Sequence, residues 1–482
     1  MPAGVPRRRG RSGQHDHSVR RAALAIILVI PGIARAQETQ RCFWNAEGGQ
    51  RIIMVAPGIR NIYLSRTPTE QIVLRCPDRG IRITADSLES YEGEGRVFFI
   101  GNVHYTEPRL EVDSDFLTYY QRDERVVANG DVHARLPNGS TLVGPVAEYL
   151  RATPSTRLVE RMNASGRPTI TLAQRDSAGQ PQPPTTVVAN TITTLGDSLV
   201  YAGGRVVVTR EDVIARGDSM ALDSEREFTR MMRGPSIEGR RERPFRLSGS
   251  VIELTGADRR LRRVLSMGEA RAISEDMTLS SDTIDLRVDD DLLQRAISWG
   301  PSRARAFSAT QELIADSIDV SMPGQRVQEV FAVRSAAAHG RPDSTRFHAD
   351  TVDWMRGDTI IARFDTTIVD TARLRELHAI GNARSYYHLA PADTSLNRPA
   401  INYVTGREIT VDFQDQQVSR VTVVEQASGV YLEPTPIAAA TDTTRAAPLP
   451  GAAPARPPAS TTRPQTAPPV TPVRPPVRRP PV

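Results

Sequence analysis

Six aspartates recur in closely similar surroundings along this 482-residue chain, and carboxylates at repeated spacing are raw material for acid–base pairs or a calcium array. Asp86, Asp115, Asp218, Asp282, Asp316 and Asp350 each follow a small residue inside an apolar pattern: ITADSL, VDSDFL, ARGDSMAL, LSSDTIDL, LIADSIDV and FHADTVDW. None sits in the Gly-rich, carboxylate-dense loop that calcium repeats use. The histidines beyond the N-terminal segment (His104, His133, His339, His348, His378 and His388) show no metal-ligand spacing. His104 and His133 occupy equivalent positions in two copies of one motif, which suits sheet residues better than a ligand pair. Nucleophile elbow, phosphate loop and zincin helix are all missing. The six acids are therefore expected to be structural, and no catalytic residue, metal or cofactor is expected.

The elements that carry these acids are short and strand-like. Several copies lie about thirty residues apart, as in Asp86 to Asp115 or Asp282 to Asp316, and such a period marks repeated supersecondary units. Looser copies replace the acid at Asn190, Ser250 and Arg407, and Ala147 to Leu150 is a partial one. Between them runs a second element, apolar-x-x-apolar-x-small-x-Gly, seen in LRRVLSMG (261–268), LQRAISWG (293–300) and LRELHAIG (374–381). Gly-Asn-Val-His at 101–104 and Gly-Asp-Val-His at 130–133 repeat at the same offset as Asp86 and Asp115. Alternation of period two predicts strands on both sides of each acid. Yet the phase slips there: Leu279 and Ile284 would fall on opposite faces of a regular strand. Either both faces are buried, or a β-bulge at the small–acid pair keeps one face inward. The bulge is the reading adopted, with the acid contacting backbone or water at the bend.

The ends of the chain read differently. Arginines 7, 8, 9, 11, 20 and 21 precede a twelve-residue apolar run, Ala22 to Ile33, and then Ala34-Arg35-Ala36. That order is a secretory signal peptide over 1–36, cleaved before Gln37, and the run is too short to anchor in a bilayer. No later stretch is apolar enough for a transmembrane helix. Residues 434–482 are Pro, Ala, Thr and Arg with little to bury, so a disordered or polyproline-like tail is expected. The formal charge of +5 resides in these two ends, which together hold thirteen Arg and two Asp, and the body between them is net acidic. Nucleic acid loses its main support as a partner. Cys42 and Cys76, the only cysteines, are expected to pair in an oxidising compartment.

The tandem at 81–150, ITADSLESYEGEGRVFFIGNVHYTEPRLEVDSDFLTYYQRDERVVANGDV and onward, resembles the OstA-like (LptA-type) domain of periplasmic lipopolysaccharide transport, with weaker copies to about Leu432. The resemblance implies an all-β fold of repeated strand pairs stacked as an extended, twisted, open β-jellyroll. It also implies an apolar interior that holds lipid acyl chains, and edge strands that join other OstA-like proteins, or copies of this chain, end to end. Organisation then follows as signal peptide 1–36, disulfide-bearing cap 37–80, first repeat block 81–165, linker 166–186, second block 187–433 and tail 434–482. Val97, Phe99, Val103, Tyr105, Val112 and Leu117 are the candidate groove residues, though a closed core would use the same side chains. The expected function is non-enzymatic lipid carriage in the periplasm or cell envelope for lipopolysaccharide transport and outer-membrane biogenesis. The competing expectation is a β-repeat scaffold of the envelope that binds protein or polymer.

Overall fold

The computed structural model describes residues 42–435 apart from short stretches at 46–47, 154–155, 176–177, 212, 240–243, 275–276, 291, 343–346, 366–372, 394–395 and 415–416. The expected signal peptide and nearly all of the expected tail therefore lie outside the described residues. Within them, thirty strands form one antiparallel sheet, and the helical content is two single 3-10 turns, Pro77–Arg79 and Pro323–Gln325. No helix among the described residues is long and apolar enough to cross a membrane.

The phase slip in the sequence is what shapes this sheet. Along Leu110–Tyr120 the buried positions are Leu110, Val112 and Ser114, then Leu117 and Tyr119. Parity changes across Asp115 and Phe116, both of which face outward. On the preceding strand, Ile100 pairs with Phe116 and Val103 with Ser114, so Gly101 and Asn102 together oppose Asp115. On the following strand, Asn129 pairs with Phe116 and His133 with Asp113, leaving three residues opposite two. Two residues against one is a β-bulge, and it bends the strand while returning apolar side chains to the same face. The extra residue sits on the strand facing the acid, in the Gly-Asn/Asp-Val-His element. Its two residues take left-handed backbone, φ +79° at Gly101 and +46° at Asn102, then +75° at Gly130 and +38° at Asp131. Glycine is required at the first position because a Cβ on Gly130 would sit 2.4 Å from Asp115 Oδ2.

The corner recurs along the sheet, with Arg334 and Ser335 taking the left-handed backbone in place of glycine opposite Asp316. Gly204 faces Asn190, Gly268 faces Ser250 and Gly300 faces Asp282, so the looser sequence copies are genuine repeats. The corner divides each strand into two halves, and the pairing keeps them apart. Arg96–Glu107 pairs through its first half with Ser87–Tyr91 and through its second half with Ile81–Ala85. Two arms result. The left arm runs through 87–91, 96–100, 116–120 and 125–129, and the right arm through 81–85, 103–107, 110–114 and 132–135. Inward residues of both arms belong to a single hydrophobic cluster that extends from Ile62 to Val411.

Two organisational expectations meet this architecture. The disulfide is present between Cys42 and Cys76, joining strand Phe43–Asn45 to its partner Ile72–Cys76. The stretch 166–186, expected to be a linker, is instead part of the sheet. Thr169–Arg175 and Pro181–Val188 pair with each other and with the strands on either side. Its prolines made it read as a loop, but they occupy the exposed end of Pro181–Val188, while Thr185 and Val187 point inward. The described residues from 42 to 433 accordingly form one compact unit rather than separate blocks.

Candidate functional site

All six candidate groove residues point into the space between the arms. Their exposure is 2% for Val97, 1% for Phe99, 1% for Val103, 0% for Tyr105, 3% for Val112 and 1% for Leu117. Period-two alternation on each side of the corner brings them together. They are sealed by packing on one another and on Leu88, Leu110 and Tyr119, so this part of the interior is a filled core.

Farther along, the lining changes. Inward Ala202, Ala332 and Ala379 stand where the first repeat carries Phe99, as Ala128 does in strand Arg125–Arg135, while Met220, Ile284, Ile318, Ile360 and Ile409 keep large inward side chains.

The repeat acids lie along the outside of the corner. Asp86 accepts a hydrogen bond from Asn102 Nδ2 at 2.6 Å and another from Gln71 Nε2 at 3.2 Å, with Arg66 3.4 Å away. Those hydrogen bonds, Asn102 first, hold its carboxyl below the usual range. Asp218 pairs with Arg233 at 3.1 Å, Asp316 lies 3.9 Å from Arg303, and Asp282 accepts from the backbone N–H of Ser302. Asp115 packs over Gly130. Among the described residues no three acidic, histidine or cysteine side chains converge on one point. Asp350 is a correction: it lies in a bend before strand Asp353–Asp365, exposed, 3.4 Å from His348. The corner of that repeat is held by Asp358, which faces Gly381 and accepts from Asn382 Nδ2 at 3.3 Å. Gly357-Asp358-Thr359 matches Gly217-Asp218-Ser219, but FHADTVDW carries a stronger apolar frame and drew the assignment eight residues early.

Opposite the corner, the free edges of the two arms are tied by polar residues. Glu107, whose side chain is 3% exposed, ends the right-arm strand Arg96–Glu107. It accepts from Tyr105 at 3.0 Å and from Tyr149 at 2.6 Å, and pairs with Arg151 Nε at 2.6 Å. Tyr149 and Arg151 belong to the left-arm edge. Arg151 also reaches Glu124 at 3.2 Å, and Glu124 pairs with Arg79 at 2.6 Å, beside the right arm. Arg79 in turn donates to the Tyr119 hydroxyl at 2.7 Å. A further tie joins Arg109 of the right arm to Glu160 and to Asp197, at 2.6 Å, of the left. Burial pushes the phenols of Tyr105 and Tyr149 well above their ordinary value and raises that of Tyr119, so all three stay protonated as donors. This latch was not anticipated from sequence. The available signal was Glu107 itself, an acid in the inward phase of Val103 and Tyr105, but its partners lie some forty residues away in another repeat.

No protein-family model matches this chain, and no curated protein matches it. The functional reading therefore rests on the residues and their arrangement.

Proposed function

We propose that this chain is an exported, non-enzymatic lipid carrier of the periplasm or cell envelope, with an OstA-like open β-jellyroll that takes the acyl chains of a lipopolysaccharide-type lipid between its arms. One observation carries the reading: a bulge in every repeat turns the apolar residues of both arms onto one shared interior, continuous from Ile62 to Val411. A lipid crossing water needs a continuous apolar path, and each Å² of acyl surface covered contributes roughly 25 cal/mol. Ala202, Ala332 and Ala379, which replace the larger Phe99, are where an acyl chain has least side-chain volume to displace, so the path is assigned there. The disulfide accords with an oxidising compartment.

Transfer between molecules is assigned to the terminal strands. Gln50–Ala56 and Phe43–Asn45 at one end, and Gln417–Val424 and Ser428–Leu432 at the other, are each paired on one side among the described residues. Ile52, Met54, Val424 and Tyr431 are exposed there. Open edges of this kind template strand addition by a similar protein.

The second reading is an envelope scaffold with a dry core, and the near-complete burial of Phe99, Tyr105 and Leu117, matched by Ala304, Ala332 and Ala379, favours it. Photo-crosslinkers at inward Phe99, Leu117, Ala304 and Ala332, with outward Val333 as control, separate the two in living cells. The carrier reading expects lipid adducts at Ala304 and Ala332 and none at Val333. Protein adducts alone at every inward position would leave the scaffold, and depletion would then disturb the envelope without stalling lipid export.

A further inference from the structure

The sheet habitually faces its outward arginines with acids across the strands. Arg125 meets Glu148 at 3.0 Å, Arg216 meets Glu238 at 2.9 Å, Arg263 meets Asp285 at 2.9 Å and Arg363 meets Glu329 at 2.9 Å. Exposed arginine pairs break the habit at Arg75 with Arg82 and at Arg356 with Arg384, and the second pair borders a hollow. Arg356 and Arg384 are direct register partners on neighbouring strands Asp353–Asp365 and Arg373–Leu389, and both are exposed on the outer face of the right arm. Neither forms an ion pair with any described residue. Side chains directly opposite in an antiparallel pair have Cβ atoms about 4.5–5.5 Å apart, and like charges there destabilise the sheet. A repulsive pair that lines a hollow together with a third arginine, Arg303, has the form of an anion site.

The surroundings agree. Both arginines line a hollow of about 450 Å³ that also receives Arg303 and His339, with Ser335 and Asn382 as neutral hydrogen-bonding groups and Asp358 as its carboxylate. Asp358 is already engaged by Asn382. Beside the arginine row, toward the free edge of the arm, lies an aromatic row. Trp354 stacks on Tyr386 with centroids 6.1 Å apart and planes 10° from parallel, and Tyr403 meets Trp354 edge-on at 6.2 Å. The Arg356 guanidinium sits 4.9 Å above the Trp354 ring, which fixes it between the two rows.

We propose that this hollow binds a phosphorylated sugar. Arg356 and Arg384 take the phosphate oxygens, for which the planar guanidinium offers paired donors. The Trp354–Tyr386–Tyr403 row packs against the apolar face of the sugar ring. A phosphate dianion between the two cations also removes their mutual repulsion, so ligand binding and local stability rise together. The site goes beyond the lipid reading and does not depend on it. A carried glycolipid would place its headgroup here, and a free sugar phosphate would bind by the same contacts.

Titration of the full chain with glucose 1-phosphate, inorganic phosphate and glucose, read by tryptophan fluorescence and by melting temperature, tests the site. The expected result is saturable binding of glucose 1-phosphate, at least tenfold tighter than either inorganic phosphate or glucose and weakened by salt. In the Arg356→Gln/Arg384→Gln variant, affinity falls at least tenfold while the unliganded melting temperature holds or rises, because the repulsion is gone. Trp354→Ala keeps phosphate binding and loses the preference for the sugar. Absence of saturation, or unchanged binding in the double glutamine variant, would overturn the proposal. Equal affinity for inorganic phosphate and the sugar phosphate would overturn its sugar half. Lipid crosslinking at Ala304 and Ala332 does not pass through these exposed arginines, so the failure of one reading is distinguishable from the failure of the other.

Discussion

Replacing Glu107 with Gln removes one charge from the latch while keeping the side chain's size. The carboxylate is almost fully buried and accepts three hydrogen bonds, from Tyr105, Tyr149 and Arg151. A Gln amide retains one acceptor oxygen but turns an NH₂ group toward donors, and it leaves Arg151 without its shortest ion pair. Breaking a buried pair by removing one partner costs about 3–5 kcal/mol. Arg151 keeps Glu124 at 3.2 Å and its side chain is 20% exposed, so a discounted cost of about 2–3 kcal/mol is expected. Urea denaturation followed by circular dichroism measures it, as a lowered midpoint. Adding Tyr149→Phe to Glu107→Gln should cost less than the two single changes summed, because both act on one network. A midpoint for Glu107→Gln within about 0.5 kcal/mol of the native chain, the ordinary range for surface changes, would refute the claim that the arms are held together by a desolvated carboxylate.

Other consequences can be measured in the same way. Gly130→Ala forces a side chain into left-handed backbone and against Asp115, at about 1–3 kcal/mol, and Asp115→Ser should restore part of that loss. Reduction of the Cys42–Cys76 bridge opens a loop with a sequence separation of 34, for which chain entropy assigns about 3–4 kcal/mol. Intact-mass shifts with and without reductant, beside urea midpoints, check both the bond and its contribution, and the same spectra report whether the chain isolated from cells begins at Gln37. Burial raises the carboxyl of Asp353 above its ordinary value of 3.8, although the backbone and ring of His388 donate to it at 2.8 and 2.7 Å. A raised acid contributes stability that is full below that value and declines as pH rises through the folded one. Asp353→Asn should therefore gain stability relative to the native chain at pH 7 and none at pH 3, measured by melting temperature across pH.

Much of this architecture is written locally in the residues. Leu279 and Ile284 bracket the acid out of phase, and that mismatch alone signals a bend that keeps both sides inward. The Gly-Asn and Gly-Asp pairs signal where left-handed backbone can be absorbed. What stayed hidden is non-local or masked by composition. Glu107 meets Arg151 only because stacked repeats bring distant strand ends together, and the prolines of 181–184 obscure the Thr-Thr-Val-Val run that completes the ladder. Apolar neighbours give Asp350 a stronger strand frame than the plainer Gly-Asp-Thr match gives Asp358. The opposed arginines at 356 and 384 become visible as a pair only once register is known.

The covalent staple between Cys42 and Cys76 makes the molecule asymmetric in time as well as in space. Each repeat contacts chiefly its neighbours, so loss of order spreads along the stack one unit after another. At one end the first strands are chemically locked, and the latch binds the repeats beside them. At the other, every residue of Ser428–Leu432 is exposed and its strand is paired on one side. Unravelling therefore has a direction: the sheet peels from Leu432 toward the disulfide, and a protease given limited time should shorten the chain from that end in repeat-sized steps.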